Sequence, residues 1–339
     1  MKLLPLLSTL AIFVSNATAE DGPFFVTYEG KTGPGKGKHV VLLSGDEEYR
    51  SEEAMPLLGK LLADQHGFKA TVLFPIDPDG TINPKNSASL PGAEALDSAD
   101  LVIMSLRFRQ WAGADLKHFA DYMAAGKPII GLRTSTHAFS GIPKESPYAD
   151  WNWNKAGGFG RKILGETWVS HWGSHKKEAT KGIIEPGAET NPLLRGVVDV
   201  FGDTDVYEAY PPADAKILLR GQVLKGMKPT DEPAKYEKTR ANDKQKQDVN
   251  DPMMPVAWSR EVANEQGKTI KVLCTTMGSS TDLVNEGLRR LIVNAAYSFT
   301  GLEVPARAKV EIGADFQPTM YGFGGNKKGL KPSDFAPGK

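Results

Sequence analysis

The residues best suited to chemistry stand where short apolar runs end. In the stretch Lys127 to Phe139 (KPIIGLRTSTHAF), Ile129, Ile130 and Leu132 give way at once to Arg133, Thr134, Ser135, Thr136 and His137. A short apolar run bounded by turn residues reads as a strand buried on both faces. In an open parallel sheet, ligands bind in the crevice beyond the carboxyl ends of such strands. Two other runs break in the same way: Lys38 to Gly45 into Asp46-Glu47-Glu48-Tyr49-Arg50, and Asp100 to Leu106 into Arg107-Phe108-Arg109-Gln110-Trp111. Tyr207-Glu208 and Gly278-Ser279 fall near further strand ends. A rim rich in Arg, Glu, His and Trp suits a small, multiply hydroxylated ligand. Carboxylates accept from hydroxyls, Arg donates as a fork, and Trp stacks on a sugar face. The alternative is that each Arg pairs with a nearby Glu only to hold loops together.

Within that rim, His137 or His171 with Glu208 or Glu48 are the acid–base candidates. Arg133, Arg107, Tyr49, Ser135, Trp172, Tyr207 and Ser279 are the candidate substrate contacts. Arg133 stays protonated, so it is neither nucleophile nor base. It is expected to hold an anion or a polarised oxygen, backed by Glu48 or Glu208, and the rival role is a structural clamp. His171 and His175 form an H-x-x-x-H pair that shares one face of a helix or a strand, half a site for zinc or a similar divalent ion. No Glu follows the first His, so this is not the zinc-protease motif. No cofactor is required by the acid–base reading; a divalent metal is the one the histidine pair would accept.

Other chemistries are excluded. There is no G-x-S-x-G elbow, and Gly33-Pro34-Gly35-Lys36-Gly37 precedes the first strong strand instead of following it, which rules out phosphate-loop and dinucleotide fingerprints. Cys274, the single cysteine, allows no intrachain disulfide and sits in an apolar run as a packing residue. Lys plus Arg equal Asp plus Glu at 41 each, so nothing points to nucleic acid or an anionic membrane.

The elements that must position these residues alternate. Lys38 to Gly45, Lys69 to Phe74, Asp100 to Leu106 and Ile129 to Leu132 read as strands; helices are expected at Ser51 to His66 and Gly113 to Ala125. This order gives a parallel sheet with helices on both faces. Residues 140–160 form an aromatic loop over the crevice. Short strands follow around 183–184, 205–208 and 215–219, then Met254 to Ser259 and Thr269 to Thr276, and a long amphipathic helix over Asp282 to Thr300. Residues 226–251 are charged and poor in aliphatics, a solvated surface insertion. Residues 1–19 read as a secretory signal cut after Ala19 (Ala17-Thr18-Ala19), which places the protein in the periplasm or outside the cell, with no membrane contact after cleavage. Residues 20–37 are an extended leader, 38–305 a single α/β domain, and 306–339 a Gly/Lys-rich tail lying on the surface.

The segments VVLLSGDEEYR, ADLVIMSLRFRQW, KPIIGLRTSTHAF, DVYE and VLCTTMGSSTDLVNEGLRRLIVNAAY, in that order, resemble the trehalose-utilisation (ThuA-like) family, over Lys38 to Pro305. The resemblance implies a three-layer, flavodoxin-like, class I glutamine amidotransferase-like fold with a mainly parallel sheet, and a secreted role in sugar catabolism with oxidised (keto) disaccharides as a substrate class. The amidotransferases' nucleophilic Cys would fall at Arg133, so glutaminase chemistry is out. Histidines that many ThuA-like proteins carry would fall at Arg133 and Ser279, so two metal ligands of such relatives are missing. His137 and Tyr207-Glu208 match the family pattern. Two functions follow: a carbohydrate enzyme of hydrolase or isomerase type, or a non-catalytic carbohydrate-binding protein using the same crevice. The partners expected are a small carbohydrate and, beyond it, a second copy of the chain as a homo-oligomer.

Overall fold

The computed structural model describes residues 24–314 and 316–338. The signal-peptide reading lies outside the described residues. The frame is a ten-stranded sheet built from β1 (Phe25–Tyr28), β2 (His39–Gly45), β3 (Lys69–Leu73), β4 (Leu101–Leu106), β5 (Ile129–Leu132), β7 (Thr180–Ile184), β8 (Phe201–Gly202), β10 (Lys216–Val223), β13 (Met254–Ala263) and β14 (Thr269–Thr275). Two short ribbons stand apart from it: β6 (Ser170–His171) with β9 (Tyr207–Glu208), and β11 (Glu237–Thr239) with β12 (Lys246–Asp248). The sheet order is β1-β3-β2-β4-β5-β14-β13-β10-β7-β8. The expected parallel arrangement runs through β3-β2-β4-β5-β14, with β5 in the interior. Beyond β14 every ladder is antiparallel, as is the β1 edge.

Three helices cover the parallel half: α1 (Ser51–His66), α2 (Gly113–Ala124) and α3 (Glu286–Phe299). Strand β2 is buried at all seven positions, and its alternation divides them between two cores. Val40 and Leu42 pack with Leu58 and Leu62 of α1 and Leu291 and Ile292 of α3; Val41 and Leu43 pack with Leu116, Phe119 and Met123 of α2. The helices therefore lie on both faces. Helix α1 stops at Gly67, whose φ of 81° is open to glycine, and whose N–H bonds back to Ala63. Cys274 is buried in β14 beside Gly131 of β5, as expected of a packing residue, and burial pushes its thiol pKa up.

Three segments depart from the sequence reading. The leader is not merely extended: β1 adds an edge strand, because Val26 and Tyr28 alternate inward against α1 and β3. The insertion is not merely solvated. Its β11–β12 hairpin packs through Val249, which is buried, and Lys238 Nζ donates to the carbonyls of His171 and Trp172. The tail is not loosely draped: Tyr28 hydroxyl donates to the Phe335 carbonyl, and the Gln65 amide donates to the Glu311 carbonyl.

Glu52, in the first turn of α1, is buried with neither carboxylate oxygen hydrogen-bonded. Burial raises its pKa from 4.5 to about 7. A raised acid binds a proton in the native state that the unfolded chain has already lost, so stability falls as pH climbs from about 4.5 to 7. Glu52→Gln is therefore expected to gain on the wild type over that window, by on the order of 3 kcal/mol between pH 4 and pH 8. Urea unfolding of both proteins at the two pH values measures it; a constant difference would contradict the assignment.

Candidate active site

The loops that leave β2, β4 and β5 meet at one end of the sheet. The β2 strand lies between β3 and β4, where successive strands fan out in opposite directions, and in open α/β sheets ligands bind beyond the strand ends at such a switch point. Each loop turns sharply at a non-glycine residue in the left-handed region: Arg50 (φ 60°), Phe108 (φ 49°) and Arg133 (φ 45°). Backbone of this kind is costly and persists where the surroundings fix it. The first loop is fixed by Ser51, whose hydroxyl accepts from the N–H groups of Gly45 and Asp46. Asp46 Oδ1 then accepts from Glu48 and Tyr49 N–H, and its Oδ2 takes the Thr134 hydroxyl, tying the β2 and β5 loops together.

At the floor lies Arg133, completely buried. Its Nη1 donates to the carbonyls of Asp205 and Thr276, each at 2.7 Å; its Nη2 donates to Asp205 Oδ1 at 2.9 Å and Tyr49 hydroxyl at 3.2 Å. The guanidinium carbon sits 3.7 Å from the Tyr207 ring centre and 4.6 Å from that of Tyr49. This corrects the expectation that Arg133 meets ligand: its hydrogen-bonding edge is spent inside, on Asp205. Tyr49 and Tyr207 are likewise buried and serve as its walls.

Asp205 carries the next layer. Its Oδ2 lies 2.7 Å from His171 Nδ1, and its Oδ1 lies 3.0 Å from His175 Nδ1. Burial alone would raise its pKa; Arg133 and the two imidazoles outweigh that and hold the carboxyl well below the usual range, so it is ionised at any working pH. The Nε2 of His175 reaches Glu48 Oε1 at 3.2 Å. Burial and neighbouring Asp46 raise the Glu48 pKa, and His175 opposes them. The Nε2 of His171 has no protein hydrogen-bond partner among the described residues, and its side chain is 37% exposed. An imidazole with Nδ1 fixed on a carboxylate and Nε2 open has one nitrogen free to accept or release a proton.

Around this centre runs a rim of planar groups. Trp168 stands edge-on to His171 at 5.8 Å and lies 6.0 Å from His137. His137 abuts Phe108 at 5.1 Å, and Phe108 abuts Trp153 at 5.6 Å. Arg107 is held by Glu47 and covers the Phe108 ring. The C-terminal segment closes the circle: Tyr321 stacks on Tyr49 at 5.2 Å and lies 5.6 Å from His175. Three ties strap that segment down. Gly322 N–H donates to the Glu48 carbonyl at 2.7 Å, and Arg50 donates to the Gly322 carbonyl. Thr319 donates its N–H and its hydroxyl to the Glu53 carboxylate.

The other expected residues fall elsewhere. Glu208 is not a free acid or base. Its side chain leaves the β6–β9 ribbon with Ser170, one residue out of step with His171 and Tyr207, and so serves the other face. There it accepts from Ser170, Tyr210 and the N–H groups of Ala241 and Asn242, pinning the insertion. Burial works against these bonds, yet they prevail and lower its pKa. Trp172 is fully buried, with its indole N–H on the Val249 carbonyl, so it offers no stacking face. Ser135 bonds Met104 and Leu106 of β4, and Ser279 bonds the N–H of Asp282; both are buried structural hydroxyls. His137 is buried beside the rim, and burial, then the Arg107 and Arg133 charges, push its pKa far down, leaving it neutral. Sequence reasoning missed Asp205, although it stands within the quoted DVYE, and Tyr321, an aromatic in a Gly-rich tail.

No family model matches the chain, and no curated protein matches it. Among solved structures it is similar to a ThuA-like protein of Parabacteroides merdae, at 12% identity and a TM-score of 0.49, covering 85% of this chain and 98% of that one. It is similar to a ThuA-like protein of Bacteroides uniformis, at 14% identity and a TM-score of 0.46, covering 79% of this chain and 93% of that one.

Proposed function

We propose that this chain is an enzyme of carbohydrate catabolism that moves a proton on a sugar or an oxidised (keto) sugar, with His171 as the acid–base group. The carrying observation is the 2.7 Å contact between His171 Nδ1 and an Asp205 carboxylate that Arg133 holds from beneath. Asp205 keeps the proton on Nδ1, so Nε2 is the atom that takes a proton from a bound hydroxyl or an acidified C–H and later returns it. His175 braces Asp205 against Glu48, and the planar rim suits the apolar face of a sugar ring. The five parallel strands, in chain order second, first, third, fourth, fifth, support the flavodoxin-like, amidotransferase-like arrangement and the crevice at its switch point. A non-catalytic binding protein needs no ionised carboxylate behind an open imidazole, which is why the enzyme reading is preferred.

One observation favours a second reading. His171, His175 and Asp205 offer ligand atoms that all lie within 4.8 Å of one another. Two imidazoles and a carboxylate fit zinc or a similar divalent ion, although Arg133 competes for the same carboxylate. When bound, such an ion would polarise a substrate oxygen. The test is a turnover screen of the purified protein on sugars and their keto derivatives, before and after dialysis against a chelator. The acid–base reading expects activity that survives chelation. Activity lost on chelation and restored by zinc would transfer the role to the metal.

A further inference from the structure

We propose that Phe323 and Arg107 form a stacking platform for a pyranose ring at the mouth of the site; this rests on the carbohydrate reading above. Phe323 is 61% exposed, whereas Tyr321, two residues earlier on the same strap, is buried. Single exposed apolar residues are common and carry no meaning alone. This one is held in place from both sides. Gly322 bonds to the β2 loop, and Lys327 lies 3.7 Å from Glu53. The Arg107 guanidinium lies 5.0 Å from the Phe323 ring centre and 4.4 Å from that of Phe108. Arg107 is in turn paired to Glu47, and the two side chains keep 20% and 17% of their surface in water.

A planar apolar surface beside a carboxylate and a guanidinium matches the amphipathic faces of a pyranose. Its axial C–H groups pack on the ring, while its hydroxyls donate to Glu47 and accept from Arg107. Phe323 therefore contributes to ligand affinity, while its strap neighbour Tyr321 is the residue packed against His175.

Saturation-transfer NMR on the full chain tests this with methyl α-D-glucopyranoside and methyl β-D-galactopyranoside as probes. The wild type should transfer saturation to the ring C–H protons of at least one probe. Phe323→Ala should weaken its binding at least about fivefold, and Phe323→Tyr should restore it. The melting temperature should not move, since the side chain is exposed. Binding unchanged in Phe323→Ala overturns the platform and leaves the proposed function standing. No transfer to either probe in the wild type overturns the platform together with the carbohydrate reading.

Discussion

Arg133→Met is expected to destabilise the protein by about 3–5 kcal/mol, the usual consequence of removing one partner from a buried ion pair. The guanidinium fills the space between Tyr49 and Tyr207 and satisfies two carbonyls and the Asp205 carboxylate. Methionine keeps much of the volume but leaves Asp205 buried beside two imidazoles with no cation beneath it. Arg133→Lys keeps the charge, yet one ammonium cannot reproduce a fork spread over Asp205, Thr276 and Tyr49, so only partial recovery is expected. Urea unfolding of the two variants at pH 7 measures both effects. A loss below about 1 kcal/mol in Arg133→Met would show that the buried pair is not the keystone of the floor.

Asp205→Asn is expected to lower turnover by roughly 10²–10⁴-fold per folded molecule. The amide oxygen can still accept from Arg133, but the amide nitrogen then faces His171 Nδ1 as a donor. That contact forces Nδ1 to accept and moves the imidazole proton to Nε2, the wrong tautomer for taking a proton from substrate. His171→Gln should produce a loss of the same order with little cost in stability, because its side chain is partly exposed. Steady-state kinetics on both variants, with active-fold correction by circular dichroism, checks the pair. Equal turnover in Asp205→Asn and wild type would mean that the carboxylate merely supports the loop.

The parallel half of the sheet was legible because its strands are short apolar runs that end abruptly in polar residues, as at Leu132-Arg133. The same abruptness marked the strand ends at which Asp46, Arg107 and Arg133 stand. It could not reveal which way each polar residue points. Arg133 and Tyr49 turn inward because a buried carboxylate 72 residues from Arg133 and the Tyr207 ring await them, and no local spacing encodes that meeting. Glu208 was misassigned for a simpler reason: side chains alternate across a strand, so a one-residue difference in position separates the site face from the insertion face. The insertion itself looked solvated because few of its residues are aliphatic; besides buried Ala234 and Val249, it is held by polar contacts through Lys238 and the Val249 carbonyl. Tyr321 was hidden by composition, since an aromatic among glycines and lysines read as part of a tail lying on the surface. Here they let the strap pass close to Arg50: a Cβ at Gly325 would come within 2.3 Å of its guanidinium.

In the proposed function, His171 Nε2, oriented by Asp205, transfers a proton on a bound sugar. The most direct measurement follows turnover and binding of the same sugar by wild type and His171→Gln, using the substrate that the screen identifies. The variant is expected to bind within about threefold of the wild type and to turn over at least about 10²-fold more slowly. Undiminished turnover in His171→Gln, or a wild type that binds sugars and converts none of them, would contradict the proposed function.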